Sequence, residues 1–246
     1  MPAPTATDAA APVRRLGVSE IFGPTFQGEG PSLGRRCSFV RLVGCNLECG
    51  FCDTPFTWDY TGKNGRAYRA KDEITVLTPD EIMADLAERG ADTLIVSGGE
   101  PLLQQKALVP LLEQARAAGW WVEVETAGTI APSPALVRLV SQFNVSPKLA
   151  NSGNAPDRRY RPAALAALQG TGTAAWKFVA TGPGDLDEVQ RIVDAHRLDP
   201  VYIMPEGISA EQVARHGADL ADAVLARGWR MTTRLHILLW GDERGV

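Results

Sequence analysis

The stretch Cys45-Asn46-Leu47-Glu48-Cys49-Gly50-Phe51-Cys52 carries three thiols, separated by three residues and then by two. Thiolates are the usual protein ligands of iron–sulfur clusters, and this spacing allows one loop to wrap around one cluster. A cubane cluster has four irons, so three cysteines leave one iron open to a substrate or cofactor. The stretch therefore predicts a 4Fe-4S cluster held by Cys45, Cys49 and Cys52.

Three other interpretations of these cysteines remain. A structural zinc site needs a fourth protein ligand, and the only further cysteine in the chain is Cys37. An electron-transfer cluster normally has protein ligands on all of its irons. The third alternative is a chance group of buried thiols. The incomplete ligand set favours a cluster with an open iron, and we interpret Cys37 as a small buried apolar residue.

The chain has 246 residues and a formal net charge of −4. That length suits one α/β domain, and the charge provides no basic surface for nucleic acid. Because three of the four cysteines share one loop, we expect a reducing, cytoplasmic location rather than a disulfide framework. The sequence has no apolar run of about 18 residues and therefore predicts no membrane span. Residues 1–15 lack the apolar centre of a signal peptide, so we expect a disordered tail ahead of a single domain, residues 16–246.

Strands and helices alternate from Arg36 onward. The predicted strands are residues 36–43, 93–97, 120–125, 142–146, 174–180 and 201–204. The predicted helices are residues 79–89 and 102–118, a helix that begins at residue 133, and residues 163–168, 185–196 and 209–227. Such alternation implies right-handed crossovers and a parallel sheet. Six units predict an α/β fold, a partial (βα)6 barrel of the TIM type that is open on one side, with an N-terminal hairpin and a C-terminal extension.

Ligands of such barrels bind at the carboxyl ends of the strands. The cysteine loop, Gly98-Gly99 and Ser146-Pro147-Lys148 all follow predicted strands, so we expect them at one edge of the sheet. Gly98-Gly99 is consistent with bare backbone beside a bound amino-acid group. A glycine pair is also common as a simple strand-to-helix turn.

Two segments before the cysteine loop also have alternative interpretations. Residues 21–30 contain three glycines and a proline, and they form either a plain hairpin connection or a loop that brings Gln27 close to a ligand. Arg41 lies on the first predicted strand. If Arg41 faces the barrel interior it needs an anion, and a substrate carboxylate would serve. Otherwise it is a rim arginine paired with an aspartate or glutamate.

The cysteine spacing, with Phe51 before the last cysteine and Gly98-Gly99-Glu100-Pro101 further on, resembles the radical S-adenosylmethionine enzymes. In that superfamily the open iron binds the amino and carboxylate groups of S-adenosylmethionine. The reduced cluster cleaves this cofactor, and a 5′-deoxyadenosyl radical takes hydrogen from the substrate. The protein supplies orientation and excludes water.

This resemblance covers nearly the whole chain from Ser19, and further motifs narrow it. With residues 22–30, Cys52-Asp53-Thr54, Ser146-Pro147-Lys148 and residues 235–246 added, the sequence resembles the 7-carboxy-7-deazaguanine synthases. The resemblance implies a lyase that converts 6-carboxy-5,6,7,8-tetrahydropterin to 7-carboxy-7-deazaguanine, with loss of ammonia, in the synthesis of 7-deazapurines such as the queuosine precursor. It also implies a 4Fe-4S cluster, S-adenosylmethionine, magnesium, an electron donor such as flavodoxin or ferredoxin, and a homodimer.

The same resemblance implies roles for individual residues. Substrate contacts are implied for Phe26, Gln27, Gly28, Arg41, Ser97 and His236. Contacts with S-adenosylmethionine are implied for Phe51, Cys52, Asp53, Gly99, Ser146, Pro147 and Lys148, extended by residues 177–180. Thr54 is implied as the magnesium ligand. His236 is equally consistent with a packed or surface histidine, and the long tail after residue 240 leaves open which tail residue meets the substrate.

Two rival functions belong to other classes. A radical activase of a glycyl radical enzyme would share the cysteine loop and the glycine pair, but it would need a surface for a large protein. The loop at Gln27 and the charge of Arg41 favour a small anionic substrate instead. A non-enzymatic metal or redox module is the second rival, and the incomplete ligand set argues against it.

Overall fold

The computed structural model describes residues 14–246, so the predicted disordered tail lies almost entirely outside the described residues. The strands are β1 (Leu16–Phe26), β2 (Arg36–Leu42), β3 (Thr75–Leu77), β4 (Thr93–Gly98), β5 (Trp121–Thr126), β6 (Gln142–Val145), β7 (Ala174–Ala180), β8 (Val201–Pro205) and β9 (Arg230–Met231). The helices are α1 (Ala70–Glu73), α2 (Pro79–Glu88), α3 (Gln105–Ala117), α4 (Pro134–Val137), α5 (Pro156–Arg159), α6 (Pro162–Gln169), α7 (Leu186–His196), α8 (Ala210–Ala226) and α9 (Leu235–Trp240). Short 3-10 helices cover Gly30–Ser32, Pro55–Thr57, Pro101–Gln104, Ala150–Ser152 and Pro183–Asp185.

These strands form one sheet in the order β3-β1-β2-β4-β5-β6-β7-β8-β9. From β2 to β9 neighbouring strands are parallel, whereas β1 pairs antiparallel with both β2 and β3. Within the described residues β3 and β9 end the sheet at opposite edges, so the barrel is open. The predicted fold is confirmed: the six predicted strands correspond to β2 and to β4 through β8, and β1 and β2 form the N-terminal hairpin.

Alternation along the strands separates a hydrophobic layer from the barrel interior. Val122 and Val124 of β5 pack against helix residues such as Leu111 in the main core. Glu123 and Glu125 alternate with these valines and therefore point to the other face of the sheet. The helices that cover the outer face begin at clear signals, for example at Thr78, whose side chain and backbone form a capping box at the start of α2. Among the helices of residues 14–246, none combines the length and apolarity that crossing a bilayer requires.

The pair Gly98-Gly99 connects β4 to the beginning of the cysteine loop. The Gly99 amide donates to the Leu42 carbonyl over 3.0 Å, and the Glu100 amide donates to the Gly44 carbonyl over 2.8 Å. A Cβ atom on Gly98 would overlap the backbone of Leu42. One on Gly99 would overlap that of Gly44. The φ angle of Gly98 is +129°, which L side chains rarely adopt. Close backbone approach therefore requires both glycines.

We predict that Gly99→Ala destabilises the fold, because the new methyl group must displace the backbone at Gly44. Overpacking costs about 1–3 kcal/mol, and the thermal midpoint should fall by about 2–4 °C for each kcal/mol. Gly184→Ala is the matched control, since a Cβ atom there meets no other atom within 4 Å. Equal unfolding midpoints for the two variants would contradict the prediction.

Candidate active site

A cavity of about 450 Å³ opens at the carboxyl ends of the parallel strands. It brings together every individually predicted site residue except one. The lining includes Phe26, Gln27, Gly28, Arg41, Cys45, Cys49, Phe51, Cys52, Asp53, Thr54, Ser97, Gly99, Ser146, Lys148 and His236. The exception is Pro147, which is buried and does not line the cavity. Of the expected extension over residues 177–180, Lys177 and Val179 line the cavity, whereas Phe178 and Ala180 are buried in the hydrophobic core.

The cysteine loop is fixed by contacts with later parts of the chain. The Glu48 amide donates to Asn154 Oδ1 over 2.9 Å, and the Gly50 amide donates to the Ser152 carbonyl over 3.0 Å. Leu47 is buried against Ala127. These contacts hold the loop in a defined conformation around the three thiols.

All four cysteines of the chain are free thiols, and burial raises the pKa of Cys45 to about 12. Burial also raises the pKa of Cys52, with a further contribution from Asp53. Ligation therefore has to remove protons from these thiols. Within residues 14–246, no three cysteine, histidine, aspartate or glutamate side chains are grouped closely enough to hold one metal ion. Cysteine ligands of a cubane cluster bind different irons, so the three thiols need not converge on one point.

Cys37 lies outside the cavity, as predicted. It is fully buried in a small apolar cluster with Phe22, Phe39 and Ile95. Burial raises its pKa to about 12, and Glu123 contributes further. This residue is a neutral, packed thiol, which confirms its interpretation as a small apolar side chain.

Gln27 stands at the centre of a polar network inside the barrel. Its side-chain amide donates to Glu123 Oε1 over 3.0 Å and to Glu125 Oε1 over 3.2 Å. Ser97 Oγ donates to the second oxygen of Glu125 over 2.7 Å. Burial raises the pKa of Glu123. The structure corrects the expected loop over residues 21–30, because residues 21–26 belong to β1 and pair with β2. Gln27 follows at the end of that strand, and its side chain reaches the carboxylates inside the barrel.

Glu29 is held between two cations that come from distant parts of the chain. Its carboxylate accepts a hydrogen bond from Lys177 Nζ, and its Oε1 lies 3.3 Å from Arg234 Nε. Arg234 also pairs with Asp53, directly after the cysteine loop. Burial opposes the ionised form of Glu29, but the two cations outweigh burial and hold its pKa below the usual value. Burial likewise disfavours the charged form of Lys177, yet Glu29 and Glu125 raise its pKa.

Arg41 combines both of its predicted alternatives. It lines the cavity, and its Nε lies 3.5 Å from Glu20 Oε1. That contact does not form a hydrogen bond, and Arg41 Nε is a buried donor without a partner. The guanidinium is therefore paired with Glu20 at the rim, and the residue also lines the cavity.

His236 lies on α9 and packs directly over Gly28, where a Cβ atom would overlap its ring. Burial lowers the pKa of His236; Glu29 opposes this shift and Arg234 adds to it. The imidazole is therefore neutral near pH 7 and can donate one hydrogen bond and accept another. It lines the cavity, which favours the interpretation as a site residue over that of a surface histidine.

The C-terminal tail closes one side of the cavity, and residues 242–246 all line it. Arg244 holds the tail in place, with its guanidinium 3.7 Å from the centroid of the Phe56 ring. Arg244 Nε donates to Glu20 Oε1 over 2.8 Å, and its Nη2 lies 2.9 Å from Glu73 Oε2. The tail is thus fastened to the N-terminal hairpin and to α1.

Several residues that shape the site were not predicted from the sequence. These are Glu29, Trp58, Glu123, Glu125, Asn144 and Arg234. For Glu123 and Glu125 a signal was present, because two carboxylates alternate with valines on a predicted barrel strand. For Arg234 there was none, since its partners are distant in sequence.

We predict that Arg244→Ala loosens the tail over residues 242–246. Exposed ion pairs contribute about 0.2–1 kcal/mol each, and an exposed cation–π contact about 0.5–1 kcal/mol, so proteolytic cleavage of the tail should accelerate by about tenfold. Arg227→Ala is the control, because its Nη2 pairs with Asp187 over 3.1 Å away from the cavity. An unchanged cleavage rate in Arg244→Ala would show that other contacts hold the tail.

Comparison with known proteins places this site in a family. Residues 26–131 match the family of 4Fe-4S single cluster domains. The chain is 39% identical over 237 residues to the 7-carboxy-7-deazaguanine synthase of Pyrobaculum aerophilum, covering 94% of this chain and 97% of that protein. It is 35% identical over 261 residues to the synthase of Rhodopirellula baltica, covering 99% and 94%. The crystal structure of QueE from Escherichia coli superposes with a TM-score of 0.68 over 90% of this chain and 95% of that chain, and at 22% identity it supports the fold. The chain belongs to the 7-carboxy-7-deazaguanine synthase family.

Proposed function

We propose that this protein converts 6-carboxy-5,6,7,8-tetrahydropterin to 7-carboxy-7-deazaguanine with loss of ammonia, as a carbon–nitrogen lyase in 7-deazapurine and queuosine-precursor synthesis. The observation that carries the proposal is the 39% identity to a synthase of this name, across 97% of that relative. The cavity supports it, because one space holds three thiols, cationic side chains and amide groups. A glycyl radical activase would have to admit a second protein, and no contact in residues 14–246 favours that alternative.

We propose that the part of the cavity lined by Cys45, Cys49 and Cys52 holds a 4Fe-4S cluster. The donor set fits, because each of the three sulfurs lies within hydrogen-bond reach of an N–H group. When bound, the cluster and S-adenosylmethionine supply the radical that takes hydrogen from the substrate. The residues proposed to border S-adenosylmethionine are Phe51, Cys52, Asp53, Gly99, Ser146 and Lys148. Pro147 is buried, and we propose that it fixes the turn between its two neighbours.

We propose that the part of the cavity lined by Gln27, Arg41 and Ser97 binds the pterin through the charged and polar groups of these side chains. Arg41 lines the cavity, and its guanidinium group suits the substrate carboxylate. Gln27 and Ser97, both bonded to Glu125, present amide and hydroxyl groups to the ring. Neutral His236 lies beside Gly28, where it can exchange hydrogen bonds with the substrate. Phe26 provides an apolar wall.

Other parts of the proposal concern the assembly and its surroundings. We infer a homodimer because Phe26, Leu238, Leu239 and Trp240 are exposed large apolar side chains, and Phe26 stacks on Trp240. A monomeric mass in solution would contradict the homodimer.

We propose that residues 16–246 form one domain. We propose a one-electron donor such as flavodoxin or ferredoxin, which the proposed cluster requires. We also propose a cytoplasmic location, which four free thiols support. Failure of both donors to reduce the cluster, or recovery of the protein outside the cytoplasm, would contradict these two proposals.

The function is tested with anaerobically reconstituted protein, reductant, magnesium, S-adenosylmethionine and 6-carboxytetrahydropterin. We expect 7-carboxy-7-deazaguanine by mass spectrometry, without stoichiometric loss of S-adenosylmethionine. Arg41→Gln should raise KM by about tenfold or more, since a hydrogen bond to a charged group contributes about 1.5–3 kcal/mol. Cleavage of S-adenosylmethionine to deoxyadenosine without product would retain the radical chemistry and exclude this substrate.

Thr54 is proposed as the protein ligand of magnesium, because its hydroxyl lines the cavity and Mg²⁺ prefers oxygen ligands. We predict that Thr54→Val raises the magnesium concentration needed for half-maximal activity, whereas Thr54→Ser, which keeps the hydroxyl group, does not. The measurement is a magnesium titration of initial rate in each variant. Equal magnesium requirements for the valine and serine variants would exclude Thr54 as a ligand.

A further inference from the structure

Each of the three cysteines in the cavity has a hydrogen-bond donor directed at its sulfur. Trp58 Nε1 donates to Cys52 Sγ over 3.3 Å, and Asn154 Nδ2 donates to Cys49 Sγ over 3.3 Å. The third sulfur, of Cys45, accepts from a backbone amide over 3.4 Å. Cys52 Sγ also lies 3.8 Å from Thr54 Oγ1, and either atom could be the donor. Trp58 and Asn154 are thus the side-chain N–H donors, and they can be exchanged without altering the backbone.

The surrounding structure fixes the orientation of the Asn154 amide. Its Oδ1 accepts from the Glu48 backbone amide over 2.9 Å, and a backbone N–H can only donate. The Nδ2 group must therefore face the opposite way, where it reaches Cys49 Sγ and Ser152 Oγ. The donor directed at the sulfur is determined by its neighbours.

Trp58 is held equally firmly, although it is only partly buried. Its backbone amide closes the 3-10 turn at Pro55 over 3.1 Å. The carboxylate of Asp59, the next residue, accepts from the backbone amides of residues 61, 62, 63 and 64, which stiffens the segment that follows. An indole N–H can donate but not accept, and Cys52 Sγ is the acceptor that it reaches.

We propose that Trp58 and Asn154 are positioning residues that raise the reduction potential of the cluster. Reduction adds one negative charge to the cluster, and that charge is shared with the thiolate sulfurs. An N–H group directed at a thiolate stabilises the more negative state, so hydrogen bonds to sulfur favour the reduced cluster. The electron comes from the one-electron donor already required, and no other reactant is needed. This inference rests on the proposed ligation by Cys45, Cys49 and Cys52.

The test is a redox titration of the reconstituted wild-type protein and of Trp58→Phe, followed by electron paramagnetic resonance. Phenylalanine keeps an aromatic ring but lacks the N–H group. At the wild-type midpoint potential, the ratio of reduced to oxidised cluster should fall by about three- to tenfold in Trp58→Phe, where tenfold corresponds to 59 mV for a one-electron couple. The control is Trp120→Phe, which removes an indole from the edge of the hydrophobic core and should leave the midpoint unchanged.

Two further measurements make the result decisive. In wild-type protein with ¹⁵N-labelled tryptophan, pulsed electron paramagnetic resonance of the reduced cluster should detect coupling to one indole nitrogen. The Trp120→Phe protein should show the same coupling. Absence of that coupling, or an unchanged midpoint in a fully loaded Trp58→Phe protein, overturns the inference while leaving the cluster in place. A Cys52→Ala protein that keeps a full cluster with the wild-type spectrum would instead refute the ligand assignment and the inference with it.

Discussion

The carboxylate of Glu29 is paired with Lys177 and Arg234, and this pairing connects parts of the chain that are far apart in sequence. Arg234 extends the connection to Asp53 beside the cysteine loop. Taking these charges out of water costs several kcal/mol per ion unless they are paired, and loss of one partner leaves an uncompensated buried charge. The N-terminal loop, β7, the cysteine loop and the start of α9 are therefore held in one arrangement around the cavity.

The two faces of β5 show how the sheet separates stability from chemistry. Val122 and Val124 pack in the main hydrophobic core, while Glu123 and Glu125 carry the polar network of Gln27 on the cavity side. Buried carboxylates weaken a fold unless hydrogen bonds satisfy them. Here the amide of Gln27 bridges one oxygen of each carboxylate, while Glu123 Oε2 is buried without a partner. The same contacts fix the position of Gln27, a proposed substrate-binding residue.

The features that sequence predicted are those with a local signature. The cysteine spacing and the strand–helix alternation can each be seen in short stretches of the sequence, and each corresponds to the structure. Pro147 shows the limit of a motif: its neighbours line the cavity, but the direction of its own side chain depends on the turn. The contact between Lys177 and Glu29 spans 148 residues, and no spacing rule records such a pair. Trp58 reaches Cys52 only because a 3-10 helix intervenes.

Glu20 links the tail to the proposed anion site, because one carboxylate serves two arginines. It accepts a hydrogen bond from Arg244 over 2.8 Å and lies 3.5 Å from Arg41 without bonding to its Nε. The tail at Arg244 and the strand that carries Arg41 are therefore tied to the same carboxylate, and loss of Glu20 would leave both guanidinium groups without this partner.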